Sequence, residues 1–188
     1  MKALQQTIDQ LIHLNDTEWS ALSALFQPKQ LQKKTYFANC GEYASQFALV
    51  ETGVLRAFYR TDTGEEYNKT FFSPNTFVGA YASLITGNKN LIDIQCLTDC
   101  TVWIADYPSF TKLFDAYPKI ERIARLLAEQ YFIQKEKREI HLVTLEAKER
   151  YQVFQTEHPH LEQLIPQYHI ASYLGISATQ LSRIRAAK

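Results

Sequence analysis

The spacing of hydrophobic positions changes character twice along the chain, and the changes mark its parts. Residues 1–26 read as helical. Asn15 or Asp16 is placed to cap a helix that starts near Thr17 and runs through Trp19, Leu22, Leu25 and Phe26. From about Gln30 to Tyr107, aromatic and β-branched residues come in short runs broken by turn signals, which predicts strands. Phe47–Val50 and Val54–Arg60 flank Glu51-Thr52-Gly53 and read as a hairpin. Asp62-Thr63-Gly64 then joins the second run to Glu66–Phe72. Two more runs follow, Leu91–Leu97 and Thr101–Ala105. Several short strands at this spacing predict a β sandwich or jelly roll.

After Asp106 the helical period returns. Pro108 suits the first turn of a short helix over Ser109–Ala116, and Pro118 opens a long one. Ile120, Ile123, Leu127, Tyr131, Gln134, His141 and Leu145 fall three, four or seven apart, a seam of coiled-coil type. Such a seam serves a dimer contact, for which Ile120, Ile123, Leu127, Tyr131 and Gln134 are the candidates. It would equally serve a helix packed on its own barrel. Thr144 is expected to cap the next helix, Leu145–Thr156, which His158-Pro159-His160 ends. The two histidines read as a solvated helix end rather than a metal site, because no cysteine lies near them. The expected division is therefore residues 1–117 for a β-barrel domain with flanking helices, 118–143 for the long helix and 144–188 for a C-terminal domain, an α+β chain.

The segment Gln167–Arg185 carries the most specific signal. Two short helices crossing steeply need a small residue at their contact, a residue tolerant of positive φ in the turn, and an N-cap for the second helix. Ala171, Gly175 and Ser177 meet those needs in order. Ile170, Leu174, Ile176, Leu181 and Ile184 supply the inward face, and Pro166 stands at the start. The outward face of the second helix then carries Ala178, Thr179, Gln180, Ser182, Arg183 and Arg185. These side chains suit a major groove: Gln can pair with adenine, Arg with guanine, and the Thr methyl can touch thymine. With Ser177, they are the candidate DNA-binding residues of a helix-turn-helix.

Charge sharpens this picture. The 20 basic and 20 acidic residues cancel, so there is no overall attraction to nucleic acid. From Pro166 to Lys188, however, the chain has Arg183, Arg185 and Lys188 and no acidic residue. No apolar run approaches the roughly 18 residues that span a bilayer, and Met1–Gln10 is polar, so a cytoplasmic protein without membrane contact is expected. The three cysteines, Cys40, Cys96 and Cys100, are too few for a disulfide framework, and Cys96 and Cys100 read as small core residues. An enzyme reading finds no support and no catalytic residue is assigned: residues 14–140 contain no histidine for a metal-dependent jelly roll, and there is no phosphate loop or nucleophile elbow. No cofactor is expected.

The chain resembles the cyclic-AMP receptor protein and fumarate-nitrate regulator (CRP/FNR) superfamily of transcription regulators along nearly its whole length. The resemblance rests on Cys40-Gly41-Glu42, Glu51-Thr52-Gly53-Val54-Leu55-Arg56, Pro74-Asn-Thr-Phe-Val-Gly79 and Leu181-Ser-Arg-Ile184. It implies a cyclic-nucleotide-binding-type jelly-roll barrel, a long dimerisation helix and a C-terminal helix-turn-helix. It also implies a homodimer with two recognition helices about 34 Å apart on a palindromic double-stranded DNA site. A small-molecule effector would sit near Gly79, Ala80, Tyr81, Leu84 and Asn90, with Tyr131 and Gln134 from the long helix. The departures bear on that effector. Ala80 stands where nucleotide-binding members carry a Glu for the ribose, and Asn90 stands near their phosphate-binding Arg. No Arg occurs between Thr61 and Lys119. Burying a cyclic phosphate without a guanidinium fork is costly, so cyclic AMP is not the expected effector. No cysteine precedes Cys40 to hold an iron–sulfur cluster. The competing reading is a ligand-binding or interaction module of the same fold that no longer reads DNA.

Overall fold

The computed structural model describes residues 1–187; Lys188, the last basic residue of the C-terminal segment, lies outside the described residues. The chain begins with helices α1 (Lys2–Asp9) and α2 (Asp16–Ser23). Asn15 caps α2 as its sequence predicts. Its side chain accepts from the Glu18 N–H, and the Glu18 carboxylate accepts in return from the Asn15 N–H, a reciprocal capping box.

Eight strands follow: β1 (Gln27–Leu31), β2 (Tyr36–Ala38), β3 (Gln46–Thr52), β4 (Leu55–Arg60), β5 (Glu66–Phe72), β6 (Phe77–Gly79), β7 (Asp93–Cys96) and β8 (Cys100–Asp106). A short helix, α3 (Tyr81–Thr86), separates β6 from β7. The strands form two antiparallel sheets, ordered β1-β8-β3-β6 and β2-β7-β4-β5, which is a jelly roll. Ala48, Val50, Leu55, Ala57, Ile94 and Val102 fill the space between the sheets, each at most 1% exposed. The barrel interior is thus packed with side chains.

The expected hairpin across Glu51-Thr52-Gly53 does not form. β3 pairs with β6 and β8, whereas β4 pairs with β5 and β7, so the chain changes sheet at Gly53. The crossing brings backbone very close. At Gly53 φ is +88°, and a Cβ there would lie 2.3 Å from the Asp99 carbonyl oxygen and 2.6 Å from Cys100 Sγ. Only glycine allows both the conformation and the approach. The hairpin across Asp62-Thr63-Gly64 does form, pairing Arg60 with Glu66.

Beyond the barrel come α4 (Tyr107–Thr111), shorter and earlier than Ser109–Ala116 because Asp106 caps it at the Ser109 N–H, and α5 (Pro118–Thr144). Ile120 and Ile123 of α5 are 0% and 1% exposed against the helices of the N-terminus and the outer face of β3. They are used up within one protomer and have no surface left to offer a second chain. Helices α6 (Ala147–Glu157), α7 (Leu161–Leu164), α8 (Gln167–Leu174) and α9 (Ala178–Ala186) complete the chain. Thr144 does not cap α6. It is the last residue of α5, and Glu146 caps α6 in a second capping box with Glu149. No strand lies in α6–α9 or their connections among the described residues, and no described helix is long and apolar enough to cross a membrane.

Replacing Gly53 by Ala is expected to lower the unfolding free energy by more than about 2 kcal/mol, because strain and overlap add. The same change at Gly64, with φ +87° but nothing within 4 Å, should cost only the conformational strain of about 1 kcal/mol. Urea unfolding of the two variants measures the difference.

Candidate nucleic-acid interface

Helices α8 and α9 are joined by Gly175-Ile176-Ser177. Gly175 ends α8 in the left-handed conformation, φ +68° and ψ 33°. Ser177 begins α9, its hydroxyl accepting the Gln180 N–H at 3.1 Å. Ile170, Ala171, Leu174 and Leu181 are buried between the helices and the rest of the C-terminal unit. With its inner face fixed this way, α9 turns Ala178, Thr179, Gln180, Ser182 and Arg183 to the exterior, all exposed, as is Ser177. Arg185 differs. It is partly buried and its Nε lies 3.9 Å from the Glu162 carboxylate. Its charge is partly matched inside the unit, whereas no ion pair is formed by Arg183 among the described residues.

The C-terminal unit is docked onto the barrel, and polar side chains do the docking. β5 is an edge strand, with outward-facing backbone groups that need partners. The Ser172 hydroxyl, on α8, accepts from the Asn68 N–H at 2.9 Å and donates to the Glu66 carbonyl at 2.8 Å. Arg138, on α5, donates to the Asn68 carbonyl at 3.3 Å and to the Tyr173 carbonyl at 2.9 Å, with its guanidinium over the Tyr173 ring. Behind this seam lies Arg56 of β4, 4% exposed. Its guanidinium meets Glu66 at 2.6 Å, Gln95 at 2.9 Å, Asn68 at 3.3 Å and His169 Nδ1 at 3.1 Å, and lies 3.7 Å above the Phe58 ring. A guanidinium has donors only, so His169 Nδ1 accepts and the imidazole is neutral with its proton on Nε2. Burial first, then the Arg56 charge, hold the His169 pKa down to about 4. Burial alone would raise the Glu66 carboxyl, but Arg56 and Arg60 outweigh it and hold that group below the usual carboxylate range. An apolar layer of Val54, Phe71 and Leu97 against Tyr151, Phe154 and Leu161 continues the contact.

Sequence reasoning missed Arg56, Glu66, Asn68, His169 and Ser172 as a group. The available signals were an arginine inside an otherwise apolar strand and a histidine beside Ile170 on the inward side of its helix.

A groove of about 1380 Å³ runs between α5, the β5–β6 side of the barrel and the C-terminal helices. Gly79, Tyr81, Leu84, Tyr131 and Gln134 are among the residues that line it. Tyr131 is held there by donating to the Phe77 carbonyl at 2.7 Å, and burial pushes its pKa up to about 12. Ala80 and Asn90 do not join them. Ala80 is 1% exposed in the barrel core. Asn90 is buried under its own loop, its amide directed at the Ile92 and Asn39 carbonyls. Ser83 is likewise consumed, accepting from the Ala44 N–H and donating to the Asn88 carbonyl at 2.6 Å. The loop that follows α3 is therefore closed on itself by its own polar groups. His158 does not extend into solvent as its sequence context predicts. Its ring packs among Phe71, Phe154 and Tyr173, and burial lowers its pKa.

Residues 28–117 match the cyclic nucleotide-binding domain family. The barrel is similar to that family over those residues. No curated protein matches the sequence, but solved structures share the fold of nearly the whole chain. FixK2 from Bradyrhizobium japonicum superposes with a TM-score of 0.77 at 18% identity, over 86% of this chain and 83% of that one. CooA from Carboxydothermus hydrogenoformans, as a double mutant, gives 0.71 at 17% identity, over 94% and 86%. A transcriptional regulator of the CRP/FNR family from Eubacterium rectale gives 0.73 at 18% identity, over 93% and 83%. The chain as a whole thus has the fold of CRP/FNR regulators: a cyclic nucleotide-binding-type barrel, a long helix, and helices beyond it. Ala80 stands just before α3 and Asn90 in the loop after it, the positions where the resemblance suggested a missing ribose ligand and a missing phosphate ligand, in that order.

Acid should loosen the docking. The folded pKa of His169, about 4, lies below its ordinary value of 6.5. The unfolded or undocked chain therefore binds the proton first, and the stabilisation is complete above pH 6.5 and lost as pH falls toward 4. At 1.36 kcal/mol per pKa unit this amounts to about 3 kcal/mol at most. Unfolding measured across that window should show the slope, and His169→Gln should flatten it.

Proposed function

We propose that this chain is a DNA-binding transcription regulator that acts as a homodimer in the cytoplasm, with residues 144–188 as its DNA-binding domain. Helices α8 and α9 are its helix-turn-helix, and α9 is the recognition helix. The observation that carries the reading is the exposed, acid-free face of α9, with Gln180 and Arg183 standing outward from a buried Leu181. Gln and Arg are the side chains suited to bidentate contact with adenine and guanine. Ser177 and the first N–H groups of α9 are placed to meet a phosphate. Arg185, tied toward Glu162, supports the helix end or a backbone contact rather than a base.

The dimer joins along the C-terminal half of α5. Phe132, Ile133, Ile140 and Val143 are 65%, 50%, 52% and 87% exposed there, an apolar stripe that water does not favour. Leu127, Tyr131 and Gln134 lie beside it. Two protomers related by a twofold axis would present two copies of α9 to a palindromic site. The barrel does not answer to cyclic AMP in the usual manner of its family. The loop after α3 carries no guanidinium, and Ser83 and Asn90 already bond to backbone. A different small molecule in the groove beside Tyr131 and Gln134 is the effector this reading allows.

Selection of DNA fragments followed by sequencing should enrich a palindromic site with wild type. Arg183→Ala should bind that site at least about tenfold more weakly, the worth of one good base contact. Failure to enrich any site at low salt, with or without cell extract as an effector source, would overturn the DNA-binding reading in favour of a module that only binds ligand or partner. Titration calorimetry with cyclic AMP should show no binding at low micromolar concentration; a clear isotherm there would refute the proposed insensitivity.

A further inference from the structure

The groove beside α5 changes polarity along its length. Leu127, Tyr131, Lys135 and Arg138 all line it and follow one another at spacings of three and four, so they share one face of the helix. The first two offer apolar surface and the last two are cations. Tyr131 is 38% exposed, with its hydroxyl spent on the Phe77 carbonyl, so its ring stands open to the groove. At the cationic half, Lys69 of β5 joins the lining. It follows Asn68, whose carbonyl Arg138 holds at 3.3 Å, and it is exposed. Neither Lys69 nor Arg138 forms an ion pair among the described residues. Of the carboxylates on the groove, Glu129 is taken by Arg125, and Glu139 by Lys135 at 3.4 Å. That leaves Glu157 against Lys69, Lys137, Arg138 and Arg150 among the described residues. Desolvation by the groove walls, then the charges of Lys135 and Arg138, hold the Lys69 pKa below its ordinary value, as cations gathered without an anion between them must.

We propose that this groove binds a free long-chain carboxylate, with its head on Lys69 in the field of Lys135 and Arg138, and its hydrocarbon tail along Leu127 and Tyr131. The proposal rests on the reading of the groove as the effector site and names the chemistry of the effector. A carboxylate supplies the negative charge that the cationic half lacks, and a charge-assisted bond to an ammonium is among the stronger polar contacts. The tail covers apolar wall that otherwise meets water. The α5 residues that line the groove run from Ile123 to Leu142, about 28 Å of helix at 1.5 Å per residue. That length suits an extended chain better than a compact ring system. A nucleotide matches it poorly, since its sugar and base would set polar groups against Leu127 and Tyr131. Arg138 also donates to the Tyr173 carbonyl at 2.9 Å, so the head lies where barrel, long helix and C-terminal unit meet.

The test is titration calorimetry of the full chain, without DNA, against decanoate, dodecanoate and dodecyltrimethylammonium, each below its micelle concentration. Dodecanoate should bind more tightly than decanoate by about fourfold per added methylene, the gain from burying each one. The cationic amphiphile, with the same tail and the opposite head, should bind at least about tenfold more weakly than dodecanoate. Lys69→Ala should weaken dodecanoate at least about threefold and leave the cationic amphiphile unchanged. Lys29→Ala, an exposed lysine on β1 of the other sheet, should bind dodecanoate as wild type does. No dodecanoate isotherm at concentrations up to about 1 mM would overturn the proposal with wild type alone. So would equal affinity for the two head groups, or equal loss in both lysine variants, which marks general detergent binding. Sedimentation with phosphatidylglycerol vesicles separates a membrane from a free ligand: Lys69-dependent recruitment without dodecanoate binding would replace the proposal with a lipid surface. If dodecanoate fails to bind while cell extract still alters DNA selection, the ligand class falls and the effector reading stands. If dodecanoate binds and no DNA site is enriched, only the DNA-binding reading falls.

Discussion

The exposed edge of β5 sets the terms for the rest of the molecule. A jelly roll made of two open sheets leaves backbone donors and acceptors at its sides, and these must find partners or water. Here the Ser172 hydroxyl and the Arg138 guanidinium fill that need for Glu66 and Asn68. One serine and one arginine therefore fix two different helices to a single strand edge. The long helix and the C-terminal unit inherit their positions from that edge.

Arg56 extends the same constraint inward. A guanidinium at 4% exposure is tolerated only when its donors are matched, and Glu66, Gln95, Asn68 and His169 match them. Three of those four partners belong to the barrel, and the fourth to α8. The barrel thus carries a charge whose full satisfaction requires the C-terminal unit to be in place. Breaking the junction would leave an arginine, a carboxylate and an edge strand short of partners together, which makes docking cooperative rather than gradual. That geometry links the barrel and the groove beside α5 to the orientation of α9, the path along which an effector's influence would have to pass.

The polar groups around α3 are spent on holding the barrel's own loops. Its interior is filled by aliphatic side chains, and the loop after α3 bonds to itself. A shared fold describes how the barrel is built, not what it holds. The same reasoning applies at the C-terminus, where Arg183 and Arg185 differ in role although only one residue separates them. One projects from α9, and the other turns back toward Glu162.

Local sequence determined the elements whose stabilising contacts are local. The capping box at Asn15, the left-handed Gly175, the Ser177 cap and the β4–β5 turn all follow from residues within a few positions of one another. So did the spacing of Ile170, Leu174 and Leu181, which gave the two C-terminal helices before any contact was known. Tertiary structure decided what local sequence left open. Val54–Arg60 could pair with either neighbour, and the close crossing at Gly53 sent it to the other sheet. The seam on α5 served two purposes at once: Ile120 and Ile123 went to the barrel, while Phe132 and Val143 stayed exposed. The junction itself joins residues about a hundred positions apart, Arg56 and Asn68 to His169 and Ser172. No periodicity or spacing records such a meeting, because a hydrogen bond between distant residues exists only after the chain has brought its strand edge and its helix together.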